Sequence, residues 1–174
     1  MPTAKSKSDL IREYTSDAPV DIEGLVDALG LKLKRSRRLH PMIAGQIERL
    51  PDGSFEISTN ASNSYFRQRF TIAHELAHYL FHRNLIGKGV DDTKAYRSLD
   101  IGKFNNTKIK PEHETEANQI AAKLLMPAPL VRRYFHELDG DLDELAKKFQ
   151  VSKEAMGYRA KALSLEMAPQ PAFQ

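Results

Sequence analysis

Cysteine is absent from the 174 residues of this chain, so disulfides and thiolate metal ligands are excluded. No apolar run approaches the ~18 residues of a membrane-spanning helix. The opening MPTAKSKSDLIREY has no apolar stretch behind its lysines and does not read as a secretory signal, so a cytoplasmic setting is expected. Charge of one sign is scarce as well. The formal net charge is +3, with lysine and arginine spread along the chain rather than gathered, which gives no specific support to nucleic-acid binding. What remains is ordinary globular material, 41% hydrophobic and 28% charged, enough to bury one core. We expect a single domain over residues 1–165 and a disordered tail over 166–174.

Local patterns predict an α+β fold. Ser8 to Tyr14 and Asp21 to Leu29 read as short helices, the second opened by Asp21, closed at Gly30, and apolar at Ile22, Leu25, Val26 and Leu29. Leu31 to Arg35 suits a strand. Residues 43–59 alternate on either side of Pro51-Asp52-Gly53 and predict a β-hairpin, the core of a small antiparallel sheet. Asn63 or Ser64 caps a helix to about His82 that is apolar on nearly every side and belongs in the middle of the domain. Residues 84–110 lack a period and read as a functional loop. Pro111 opens a helix to about Met126. A further helix at 129–137 and a helix-turn-helix-like pair at 141–165, capped by Asp141 and Ser152, complete the chain.

The chemistry is concentrated in His74-Glu75-Leu76-Ala77-His78, an H-E-x-x-H pattern. Histidines four apart lie on one helix face, so both imidazoles can reach one cation. Glu75 points roughly 100° away around the axis, beside that cation rather than on it. From there a carboxylate can take a proton from an attacking water and pass it to a leaving amine.

A catalytic site of this type needs a third protein ligand. Glu112, Glu116, Gln119 and Lys123 form one stripe of the 111–126 helix and read as its solvent face. Glu114 falls instead within the apolar arc of Ala117, Ile120, Ala121, Leu124 and Leu125, where a carboxylate wants a cation. Glu114 is therefore the expected third ligand; the competing reading is a first-turn carboxylate that merely suits the helix dipole. Asn118, one turn on, can orient a ligand by a hydrogen bond. His82 and His113 read as satisfied or exposed histidines.

The segment Arg69-Phe70-Thr71-Ile72-Ala73-His74-Glu75-Leu76-Ala77-His78 resembles the RFTxAHExxH signature of the ImmA/IrrE family of metallopeptidases. Glu114-x-x-x-Asn118-x-x-Ala121-x-x-Leu124-Leu125-Met126-Pro127 resembles that family's second motif. Two departures stand out: Ile120 occupies a position where an aromatic is frequent, and 84–110 carries no family pattern. The resemblance implies a minimal thermolysin-like zincin core with a helical C-terminal part. It also implies His74, His78 and Glu114 as zinc ligands, Glu75 as general base, and a helix-turn-helix (Xre-type) repressor or antitoxin-like protein as substrate. Manganese or iron would suit the same donors.

A substrate strand could add to an open edge of the hairpin. Two further readings are a partner protein that sequesters a repressor without turnover, and DNA contact through Lys153, Tyr158, Arg159 and Lys161 of the 141–165 pair. The family resemblance points away from DNA. No membrane association is expected.

Overall fold

The computed structural model describes residues 5–86, 95–98 (backbone) and 108–165, and among these it has seven α-helices, a short 3-10 helix at Arg83–Leu85 and a four-stranded mixed sheet. Two short helices open the chain, α1 (Lys7–Tyr14) and α2 (Ile22–Ala28). Asp21 caps α2 through the Gly24 N–H, and Ile22, Leu25 and Val26 are buried. The strands are β1 (Lys32–Ser36), β2 (Ile43–Arg49), β3 (Phe55–Asn60) and β4 (Ala95–Ser98).

β2 and β3 form the expected hairpin, pairing Ile47 with Ile57 and Gly45 with Thr59. The sheet as a whole differs from the antiparallel one read from the sequence. Its order is β1-β3-β2-β4, and β1 runs parallel to β3. The hairpin turn pairs β2 with β3 and leaves the far edge of each free; β1 takes that of β3, in the parallel direction. The 84–110 stretch also differs from expectation, because its residues 95–98 form β4, antiparallel to β2. Both hairpin edges are thereby covered, and the edges of the sheet are β1 and β4. The remainder of that stretch, 87–94 and 99–107, and the tail at 166–174 lie outside the described residues.

Helix α3 (Tyr65–Phe81) is capped by Ser64, whose hydroxyl accepts from the Arg67 N–H. Thr71 to Tyr79 are all buried, as a helix apolar on every side requires. Its ends are less enclosed than the sequence suggests: Tyr65, Phe66 and Phe81 are exposed. Arg69 is buried and donates from Nη2 to the Val20 carbonyl at 2.7 Å, tying α3 to the chain before α2. α3 packs on β2, β3 and helix α4 (Pro111–Leu125). Three helices follow: α5 (Ala128–Glu137), α6 (Leu142–Phe149) and α7 (Lys153–Ala162). One hydrophobic cluster runs from Ala18 to Met156 and includes Ile47, Ile57, Ile72, Leu76, Leu125, Leu145 and Phe149.

The α6–α7 turn passes through Gln150 in the left-handed region at φ 53°, where helix-turn-helix pairs commonly carry glycine. The Tyr65 hydroxyl donates to Gln150 Oε1 at 3.0 Å, linking that turn to the start of α3.

Gly45 sets the distance between sheet and site helix. A Cβ there would overlap the Thr71 methyl of α3 and lie 2.7 Å from the Ser58 carbonyl oxygen, a backbone atom that cannot turn aside. Gly45→Ala is expected to destabilise the fold by about 1–3 kcal/mol through overpacking. Gly157, inside α7, has nothing within 4 Å of its virtual Cβ. Gly157→Ala should instead stabilise by about 0.4–1 kcal/mol. Urea melts of both variants check the pair, and equal effects would mean that the Gly45 contact does not control helix placement.

Candidate metal centre

His74 and His78 project from the buried middle of α3, and Glu114 from the first turn of α4. Pro111 starts α4 at a position where its missing N–H costs nothing, which places Glu114 three residues further on, at the end of the first turn. The two helices pack side by side, and their three side chains converge. His74 Nε2 and His78 Nε2 lie 3.1 Å apart. Glu114 Oε2 is 3.2 Å from His74 Nε2, and Glu114 Oε1 is 3.2 Å from His78 Nε2. Among the described residues, these three form a group able to hold a metal ion, with all ligand atoms within 4.8 Å of one another.

The donor set fits a divalent cation. Tetrahedral zinc with bonds of ~2.0–2.1 Å has ligand–ligand edges of ~3.3 Å, close to the three separations found here. His74 Nδ1 lies 3.0 Å from Asn118 Oδ1, and donating that N–H leaves the Nε2 lone pair facing the other two donors. Lone pairs of a buried imidazole and a carboxylate repel unless a cation lies among them. Both histidines are fully buried, while one third of the Glu114 side chain is exposed, so the centre is closed on the α3 side and open at Glu114. Burial raises the Glu114 pKa, but the positive charge that His74 and His78 gather beside it outweighs this and holds the carboxyl well below the usual carboxylate range.

Glu75 is also fully buried in α3, next to His74 in the chain and roughly 100° around the helix axis from it. The structure thus brings His74, His78 and Glu114 together, places Asn118 behind His74, and sets Glu75 next along the same helix. Two residues outside the expected site join it. His82 Nδ1 lies 3.0 Å from His78 Nδ1, and His82 Nε2 lies 3.0 Å from Glu116 Oε2. The sequence carried a signal for His82, four residues beyond His78. It carried none for Glu116, whose side chain is 54% exposed, in keeping with its solvent stripe. His113 is half-buried, and its ring lies tilted against that of His82, centroids 4.8 Å apart.

A cavity of about 830 Å³ between α4 and α7 is lined by Asn118 together with Phe70, Ala122, Met126, Tyr158 and Arg159, but by none of His74, His78 and Glu114. Two of the residues considered for DNA contact are engaged within the chain. Arg159 donates from Nε to the Met126 carbonyl at 2.9 Å, and Lys153 pairs with Asp143 at 2.7 Å.

No curated protein matches the chain. Among solved structures it is similar to a Mycobacterium tuberculosis transcriptional regulator, at TM-score 0.59 and 17% identity, over 99% of this chain and 49% of that one. The likeness is one of fold, and this chain spans about half the length of that protein. A family model described as IrrE N-terminal-like domain, of a peptidase family, matches residues 48–161, roughly two thirds of the sequence and both motif segments. The match covers more than half of the chain and contains both motifs: the chain belongs to the ImmA/IrrE family of peptidases.

Proposed function

We propose that this chain is a zinc-dependent endopeptidase built on a thermolysin-like core, with a helix-turn-helix repressor or antitoxin-like protein as its substrate. The observation that carries the reading is the convergence of two buried imidazoles and one carboxylate at 3.1–3.2 Å, with a fully buried glutamate next to the first imidazole. His74, His78 and Glu114 would hold the cation, and Asn118 would fix the ring of His74. When bound, zinc supplies Lewis acidity to a water and to the scissile carbonyl. Glu75 takes a proton from the attacking water and delivers it to the departing amine. Buried in α3, its carboxylate has little bulk water to compete for that proton. The cleft reaching Asn118 is large enough for several residues of a polypeptide, and its Phe70, Met126 and Tyr158 suit apolar side chains. The substrate class rests on the family, whose members act on transcriptional repressors.

Metal content tests the reading. Protein purified without a metal-affinity tag is expected to carry about one equivalent of zinc by mass spectrometry, and His78→Ala to retain little. Wild-type protein that stays metal-free after zinc is supplied would sink the proposal.

A further inference from the structure

Behind His78 lies a row of polar groups that neither binds the cation nor touches a substrate in the mechanism above. Four residues along an α-helix advance ~6 Å and turn ~40° past a full revolution. His82 therefore stands one step beyond His78 and too far round to join the ligand cluster, yet it can reach the back of the His78 ring. It does so at 3.0 Å, Nδ1 to Nδ1. Its other nitrogen faces Glu116 Oε2 at 3.0 Å.

The direction of these hydrogen bonds follows from Glu116. An ionised carboxylate only accepts, so His82 Nε2 carries the proton and donates. A neutral imidazole protonated at Nε2 has its lone pair at Nδ1, which must accept from His78 Nδ1–H. His78 is then fixed with its Nε2 lone pair turned toward His74 and Glu114. The His113 ring packs on His82, and His113 is itself held by the Lys110 N–H donating to its Nδ1 at 3.1 Å. His82 is only 6% exposed, so water cannot readily replace it behind His78.

We propose that His82 and Glu116 are positioning residues which set the tautomer and ring orientation of His78, as Asn118 does for His74. The proposal rests on the metal-centre reading. Each imidazole ligand then has its own oxygen acceptor behind it, one direct and one relayed through a second histidine. Such outer partners typically change metal affinity ~10–100-fold.

The test is chelator-competition measurement of zinc affinity on the full chain, with melting of the metal-free protein alongside. His82→Phe keeps a ring against His78 and His113 but removes the acceptor. His82→Asn loses the ring but can place Oδ1 near the lost Nδ1. A packing role ranks Phe above Asn; a positioning role ranks Asn above Phe. We expect His82→Phe to bind zinc at least about tenfold more weakly than wild type, and His82→Asn to recover most of that loss. At the exposed position, where folding is not at stake, Glu116→Ala should bind more weakly than Glu116→Gln, whose amide oxygen still accepts. Wild-type affinity in His82→Phe, or equal affinity in Glu116→Ala and Glu116→Gln, overturns the relay. A wild-type chain that takes up no zinc overturns the metal centre, and the relay falls with it.

Discussion

Glu75→Gln is expected to slow cleavage of a bound repressor by about a thousandfold, within the range a positioned general base contributes. Glutamine keeps the shape of the side chain but cannot take up a proton at neutral pH, so the loss should appear in kcat with KM little changed. Zinc content should match wild type, because Glu75 lies outside the ligand cluster. Stability separates this from a folding defect. A carboxylate buried to 0% exposure is costly to desolvate, so the amide should melt at or above the wild-type temperature. Single-turnover assays against a panel of helix-turn-helix repressors, with metal analysis and melting curves in parallel, check all three points. Cleavage by Glu75→Gln at the wild-type rate removes the mechanism. A tight complex that wild type and variant form alike, without products, shifts the function to sequestration.

Chelation should lower the melting temperature by about 10 °C. A ligand present at a thousand times its dissociation constant stabilises by ~4 kcal/mol, and a domain of this size shifts ~2–4 °C per kcal/mol. Glu114→Ala is the informative variant. Its side chain is one third exposed at the first turn of α4, so its removal should cost the metal-free protein little. The metal-dependent shift should nevertheless collapse to a degree or two, since two histidines alone hold zinc loosely. Calorimetric scans with and without chelator measure both numbers. A full shift in Glu114→Ala would move the third ligand elsewhere.

Local chemistry made much of this legible in the sequence. Asp21, Ser64, Asp141 and Ser152 all cap helices through their own side chains, because a cap is satisfied within three residues of itself. The 43–59 hairpin is equally local. Periodicity singled out Glu114, and the structure places its carboxylate between two imidazoles. What stayed hidden depends on neighbours distant in the chain. The parallel pairing of β1 with β3 depends on which free edge of the hairpin β1 takes, and no alternation in Lys32–Ser36 encodes that. β4 is four residues long and has no apolar period of its own. Glu116 was read correctly as exposed, but a helical wheel treats α4 alone. The buried histidine that meets its carboxylate is the C-cap of α3.

The pairing of a buried histidine with an exposed glutamate has a consequence for how such sequences diverge. An exposed residue ordinarily drifts freely, yet position 116 would be confined to oxygen acceptors for as long as position 82 is histidine. Where a relative carries an apolar residue at 82, that restraint disappears and 116 should wander among lysine, serine or alanine like any surface site. The two positions, 34 residues apart, should therefore change together across lineages, while the surface glutamate at 112 drifts on its own.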